Sequence, residues 1–123
     1  MQTVYVVEDA PLVRERLIEM LDATPGTQVV GAATRADDAI LGILEQQPNV
    51  VLLDLRLAQG NGLDVLRAVH PAAPEIVFYM LSSFSTEPYR QLAVRLGAQD
   101  FFDKATEFER VRDIIAARSA TKH

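Results

Sequence analysis

Short apolar runs alternate with amphipathic segments along the whole chain. Val4-Tyr5-Val6-Val7 ends in Glu8-Asp9, Val50 to Leu53 ends in Asp54, Ile76 to Leu81 ends in Ser82-Ser83, and Phe101-Phe102 runs into Asp103-Lys104. Runs of this kind read as strands buried on both faces. A further strand is predicted from Gln28 to Ala33.

Between them the apolar positions recur at helical spacing. Pro11 suits a first helical turn, Val13, Leu17, Met20 and Leu21 share one face, and Pro25-Gly26 ends that helix. Thr34 with Asp37 predicts a capping box, opening a helix with Ile40, Ile43 and Leu44 inward that stops before Pro48. The strand over 49–54 leads through Gln59-Gly60-Asn61-Gly62, a tight turn, into a helix from Leu63 to about Val69. Pro71 and Pro74 bracket a loop, and the next strand covers about Glu75 to Leu81. Tyr89, Leu92, Ala93 and Leu96 predict a fourth helix with Gly97 as its C′ residue. Thr106 with Glu109 predicts a second capping box, before a helix burying Phe108, Val111, Ile114 and Ile115.

This alternation predicts an α/β fold. Five strands and five helices fit a doubly wound parallel sheet of order 2-1-3-4-5, whose ligands bind beyond the carboxyl ends of the strands at the topological switch point. With that order the switch lies between the first and third strands, which end at Asp9 and Asp54. One domain is expected over residues 1–118, with a polar tail over 119–123.

Composition narrows the function. A chain of 123 residues, 49% hydrophobic, suffices for one core. Its net charge of −5 disfavours direct binding to nucleic-acid backbones. The absence of cysteine excludes disulfides, a thiolate nucleophile and cysteine-ligated metals. No apolar stretch approaches the roughly 20 residues of a membrane span. Met1-Gln2-Thr3 enters a strand directly, so no signal peptide is expected and a cytoplasmic location is.

If the runs are parallel strands, Glu8, Asp9, Asp54, Ser82 and Lys104 meet in one crevice. Three ionised carboxylates would repel one another and raise at least one pKa. Mg²⁺ resolves that conflict, since it takes oxygen ligands and is commonly held by one or two carboxylates plus phosphate oxygens. A carboxylate can also act as a nucleophile and form an aspartyl-phosphate. Lys104 offers a point charge to phosphoryl oxygens, and Ser82 a hydroxyl donor.

VVEDA at 6–10, LLDLR at 52–56, GNGLDVL at 60–66, LSS at 81–83 and DFFDK at 100–104 together resemble response-regulator receiver domains. The similarity spans essentially the whole chain. It implies that Asp54 is the phosphate acceptor, with Glu8 and Asp9 as the Mg²⁺ acidic pair, Asp9 directly and Glu8 through water. The main-chain carbonyl of Arg56 would be another metal ligand. Ser82 would bond the phosphoryl group, Lys104 would pair with it, and Phe101 falls at the family's switch aromatic. A histidine kinase or phosphotransfer protein would supply the phosphoryl group. Ser82 would then be drawn inward, Phe101 would turn into the vacated space, and the face of the fourth helix, fifth strand and fifth helix would present a changed surface to a protein target. Homodimerisation through that face is implied by the resemblance alone. The chain would not be an enzyme beyond self-phosphorylation and modest autodephosphorylation. Ala105 and Ala58 stand where the family often has prolines, and Arg56 and Phe84 occupy positions that modulate phosphoryl lifetime.

Other readings compete. Taken singly, Asp54 or Asp9 reads as a loop residue or helix cap, Ser82 as turn chemistry, Phe101 as a core aromatic and Lys104 as a surface lysine. A haloacid-dehalogenase-type phosphohydrolase would need an acid two residues after the nucleophile, where Arg56 stands. A flavodoxin-like cofactor binder would need a phosphate cradle where Glu8-Asp9 lie. A pseudo-receiver acting by protein binding without phosphorylation, and the receiver of a longer DNA-binding transcriptional regulator, are the remaining alternatives. His70 and His123 are isolated, and Arg14, Arg16, Arg90, Arg95 and Arg110 read as solvated helix faces.

Overall fold

The computed structural model of the chain describes residues 1–83 and 87–121, so Phe84 lies outside the described residues. Strands β1 (Gln2–Val7), β2 (Thr27–Ala33), β3 (Val50–Leu53), β4 (Val77–Ser82) and β5 (Ala98–Asp103) alternate with helices α1 (Pro11–Asp22), α2 (Ala36–Gln46), α3 (Gly62–Val69), α4 (Glu87–Arg95) and α5 (Phe108–Thr121). All four strand pairings are parallel, in the order β2-β1-β3-β4-β5. The doubly wound sheet read from the sequence is the observed one.

Successive residues of each inner strand face opposite sides of the sheet. Val7, Val51, Leu53, Phe78, Met80 and Phe101 pack on one side against Ala39 and Ile43 of α2, Val65, Leu66 and Val69 of α3, and Ala93 of α4. Val4, Val6, Leu52, Leu81 and Phe102 pack on the other against Leu17 and Leu21 of α1 and Val111 and Ile115 of α5. Two cores therefore sandwich one sheet. Each fully buried large side chain contributes about 1.5–3 kcal/mol from surface removed from water.

Several helix ends depart from the expected chemistry. The residue capping α2 is Arg35, whose own side chain makes no capping bond. Asp37 instead accepts from the Asp38 N–H at 2.9 Å and sits 3.4 Å from the Arg35 guanidinium. The inward residues of α2 are Ala36, Ala39 and Ile43, with Ile40 half-buried, whereas Leu44 points outward. Helix α1 is capped by Ala10 without a side-chain bond, so Asp9 does not serve there. Helix α5 begins at Phe108, too late for Thr106 to cap it, and Asp103 closes the preceding turn by accepting from the Ala105 and Thr106 N–H groups. At α3 the reverse holds. Asn61 and Asp64 form a reciprocal capping box that the sequence reading had treated only as a turn. Gly97 follows α4 with φ of 116°, as a C′ glycine should.

Candidate functional site

The backbone ladder carries the candidate residues to the carboxyl ends of the strands, Ser82 as the last residue of β4 and the others just beyond theirs. The Glu8 N–H donates to the Ala33 carbonyl, Asp54 N–H to Val7 and Lys104 N–H to Ser82, at 2.9–3.1 Å. Parallel pairing thus brings the ends of β1, β3, β4 and β5 into register. Ligand oxygens of Glu8, Asp9 and Asp54 all lie within 4.8 Å of one another. Glu8, Asp54 and Ser82 are buried, while Asp9 is exposed at the rim.

Lys104 reaches into this cluster. Its Nζ stands 2.9 Å from Asp54 Oδ2, in hydrogen-bond geometry, and 2.6 Å from Glu8 Oε1. The second contact is a close ion pair, and the buried Oε1 has no other partner among the described residues. The other oxygen of Glu8 accepts from the Ala10 N–H at 3.1 Å. Burial pushes the Glu8 carboxyl up to about 7, against the pull of the Lys104 ammonium and with a push from the Asp54 charge. Burial alone would lower the Lys104 pKa, but Glu8 and Asp54 outweigh it and raise the ammonium above its ordinary value.

Two local features fix the acceptor-side loop. The Gly62 N–H donates to the Leu55 carbonyl at 2.8 Å, and Arg56 bridges Asn61 across the turn. A methyl group at Gly62 would overlap the carbonyl oxygen of Asp54. Glycine is required there by close backbone approach. Arg14, read from sequence as a solvated face, instead donates to the Glu8 carbonyl at 3.0 Å and steadies the β1–α1 turn. Nothing in helical periodicity could have singled it out, since its partner is a main-chain carbonyl.

Phe101 is already inside, 1% exposed, in the core beneath α4, and the Arg90 guanidinium lies 5.2 Å from its ring centroid. Beside it a cleft of about 430 Å³ opens between α4 and β5, lined by Arg90, Val94, Arg95 and Asp100 among others. The ring starts from the inward position that the sequence reading assigned to the switched state.

The donor set fits Mg²⁺. All three groups are hard carboxylate oxygens, which suit this ion over softer metals. The buried Glu8 Oε1, whose one partner among the described residues is the Lys104 ammonium, faces the same cluster.

Known proteins share the sequence pattern and the fold. The sequence model described as the response regulator receiver domain matches residues 4–116. The chain is 32% identical over 123 residues to the DNA-binding transcriptional activator DevR/DosR of Mycobacterium tuberculosis, covering 97% of this chain and 57% of that protein. It is 34% identical over 104 residues to protein-glutamate methylesterase/protein-glutamine glutaminase 3 of Geobacter sulfurreducens, covering 85% of this chain and 28% of that one. The response regulator domain of Thermotoga maritima CheB superposes with a TM-score of 0.85 at 26% identity, covering 98% of this chain and 94% of that domain. The chain therefore spans little more than half of the first relative's length and under a third of the second's.

Proposed function

The chain belongs to the response regulator receiver domain family, and we propose that Asp54 accepts the phosphoryl group by which it signals. The observation that carries this reading is the Lys104 ammonium held between Glu8 and Asp54 with Asp9 at the rim. An Asp54 carboxylate oxygen attacks the phosphorus of a phosphohistidine. As the new P–O bond forms, the P–N bond breaks and its electron pair stays with the imidazole of a histidine kinase or phosphotransfer protein. Lys104 then pairs with the phosphoryl oxygens, and the Ser82 hydroxyl donates to one of them. Asp9 directly, Glu8 through water, Asp54 and the Arg56 main-chain carbonyl would hold Mg²⁺. When bound, the ion neutralises charge on the phosphoryl group in transfer. Slow hydrolysis returns the chain to its resting form.

The receiver is assigned to residues 1–118 and acts in the cytoplasm. No helix among the described residues is long and apolar enough to cross a membrane. The output passes through the face of α4, β5 and α5 to a protein target or a second copy, with Phe101 shifting its packing against α4 as Ser82 responds to the phosphoryl group. The greater length of the relatives favours an alternative output, through a further domain of a longer protein such as a DNA-binding or an enzymatic one.

Intact-mass spectrometry after incubation with acetyl phosphate and Mg²⁺ tests the acceptor. The native chain should gain a single phosphoryl adduct that chelation of Mg²⁺ abolishes and that Asp54→Ala does not form. If neither acetyl phosphate nor a phosphorylated histidine kinase modifies Asp54, the chain works as a pseudo-receiver.

A further inference from the structure

Lys104 must place a charge on a flexible four-carbon stem within 3 Å of Asp54. Its own side chain does not fix that aim. The turn it stands on does, if the turn is rigid. Between β5 and α5 the residues 104–107 form that turn, and two carboxylates tie it down. Asp103 Oδ1 accepts from the Ala105 N–H at 2.8 Å and the Thr106 N–H at 3.3 Å. Glu107 grips the peptide groups of Asp103 from both ends. Its Oε1 accepts from the Asp103 N–H at 3.0 Å, and its own N–H donates to the Asp103 carbonyl at 2.8 Å. The second oxygen of Glu107 accepts from Arg110 at 2.6 Å, and the Arg110 guanidinium lies 5.3 Å from the Phe102 ring centroid.

We propose that Asp103 and Glu107 are positioning residues, a carboxylate clamp that aims the Lys104 ammonium at Asp54. The clamp depends on Ala105, because a proline there would have no N–H to give Asp103. The hydrogen bond from Asp103 lowers the Glu107 pKa first, and Arg110 adds to it, so the carboxylate stays ionised in the neutral range. The exposed Arg110 pair is worth little as a salt bridge, and its use here is to orient Glu107. The inference rests on Asp54 as the acceptor for its consequence, but not for its geometry.

The test compares E107A, E107Q and D103A in two readouts: the order parameter of the Lys104 ammonium from NMR relaxation at one fixed pH, and the rate of phosphoryl uptake from acetyl phosphate. E107A and D103A are expected to loosen the ammonium toward the mobility of an exposed lysine and to slow uptake about tenfold. E107Q keeps an oxygen acceptor for the Asp103 N–H and should restore both. A native Lys104 order parameter in folded E107A, or E107Q behaving like E107A, overturns the clamp. Slowed uptake with an unchanged order parameter overturns it as well. If the native chain takes up no phosphoryl group while E107A still loosens Lys104, the clamp stands and the acceptor reading fails.

Discussion

At Glu8, burial and charge oppose each other within a single side chain. Its carboxyl is raised to about 7, so between about 4.5 and 7 the folded chain binds a proton that the unfolded chain has lost. Folding stability should therefore fall as pH rises through that window, by an amount on the order of 2–3 kcal/mol once the coupling to Lys104 is allowed for. Urea midpoints of the metal-free native chain and Glu8→Gln, measured from pH 5 to pH 8, should show that slope only in the native chain. The same proton should compete with Mg²⁺ at the proposed site. Affinity should drop as pH falls below about 7, by up to about tenfold per pH unit, and calorimetry in two buffers should detect the proton released on binding. Gly62 has its own signature: Gly62→Ala should cost about 1–3 kcal/mol in a urea titration, because the added methyl overlaps the Asp54 carbonyl. The acids and Lys104 were legible in the sequence because each closes an apolar run, and the strand ends do the rest. Arg14 was not legible, since its role depends on where the β1–α1 turn leaves the Glu8 carbonyl.

Elements were easier to place than their ends. Strand order followed from the alternation of runs and helices, but both capping-box expectations rested on residue identity without knowledge of where the helix starts. Thr34 lies one residue ahead of the true cap, Arg35, and its carbonyl is engaged by the Ala58 N–H. Thr34→Ala should therefore leave stability within about 0.5 kcal/mol of native. Asn61→Ala should cost about 1 kcal/mol, because it opens the box that begins α3. Chemical denaturation of the two variants side by side checks the contrast. Asn61 was missed as a cap because Asn-Gly is also a strong turn signal, and in this loop the two roles coincide. Its loss should also slow phosphoryl uptake, since the next residue, Gly62, rests on the backbone of Asp54.

For the molecule as a whole, a ligand that binds only the folded chain adds stability by mass action. Mg²⁺ at a hundred times its dissociation constant should add about 2.7 kcal/mol. The melting temperature should rise by about 10 °C, and Asp9→Ala should remove most of the gain. The overall architecture was legible because both sides of the sheet are apolar, which dictates helices on each. The inward Phe101 was legible only as the core-aromatic alternative, because alternation with Phe102 does not say which ring lies beneath α4. That alternation matters beyond packing. Neighbouring residues of one strand belong to different cores, Phe101 to the α4 side and Phe102 to the α1 and α5 side. The face formed by α4, β5 and α5 straddles both flanks, so a change of packing in either core reaches the surface from its own side.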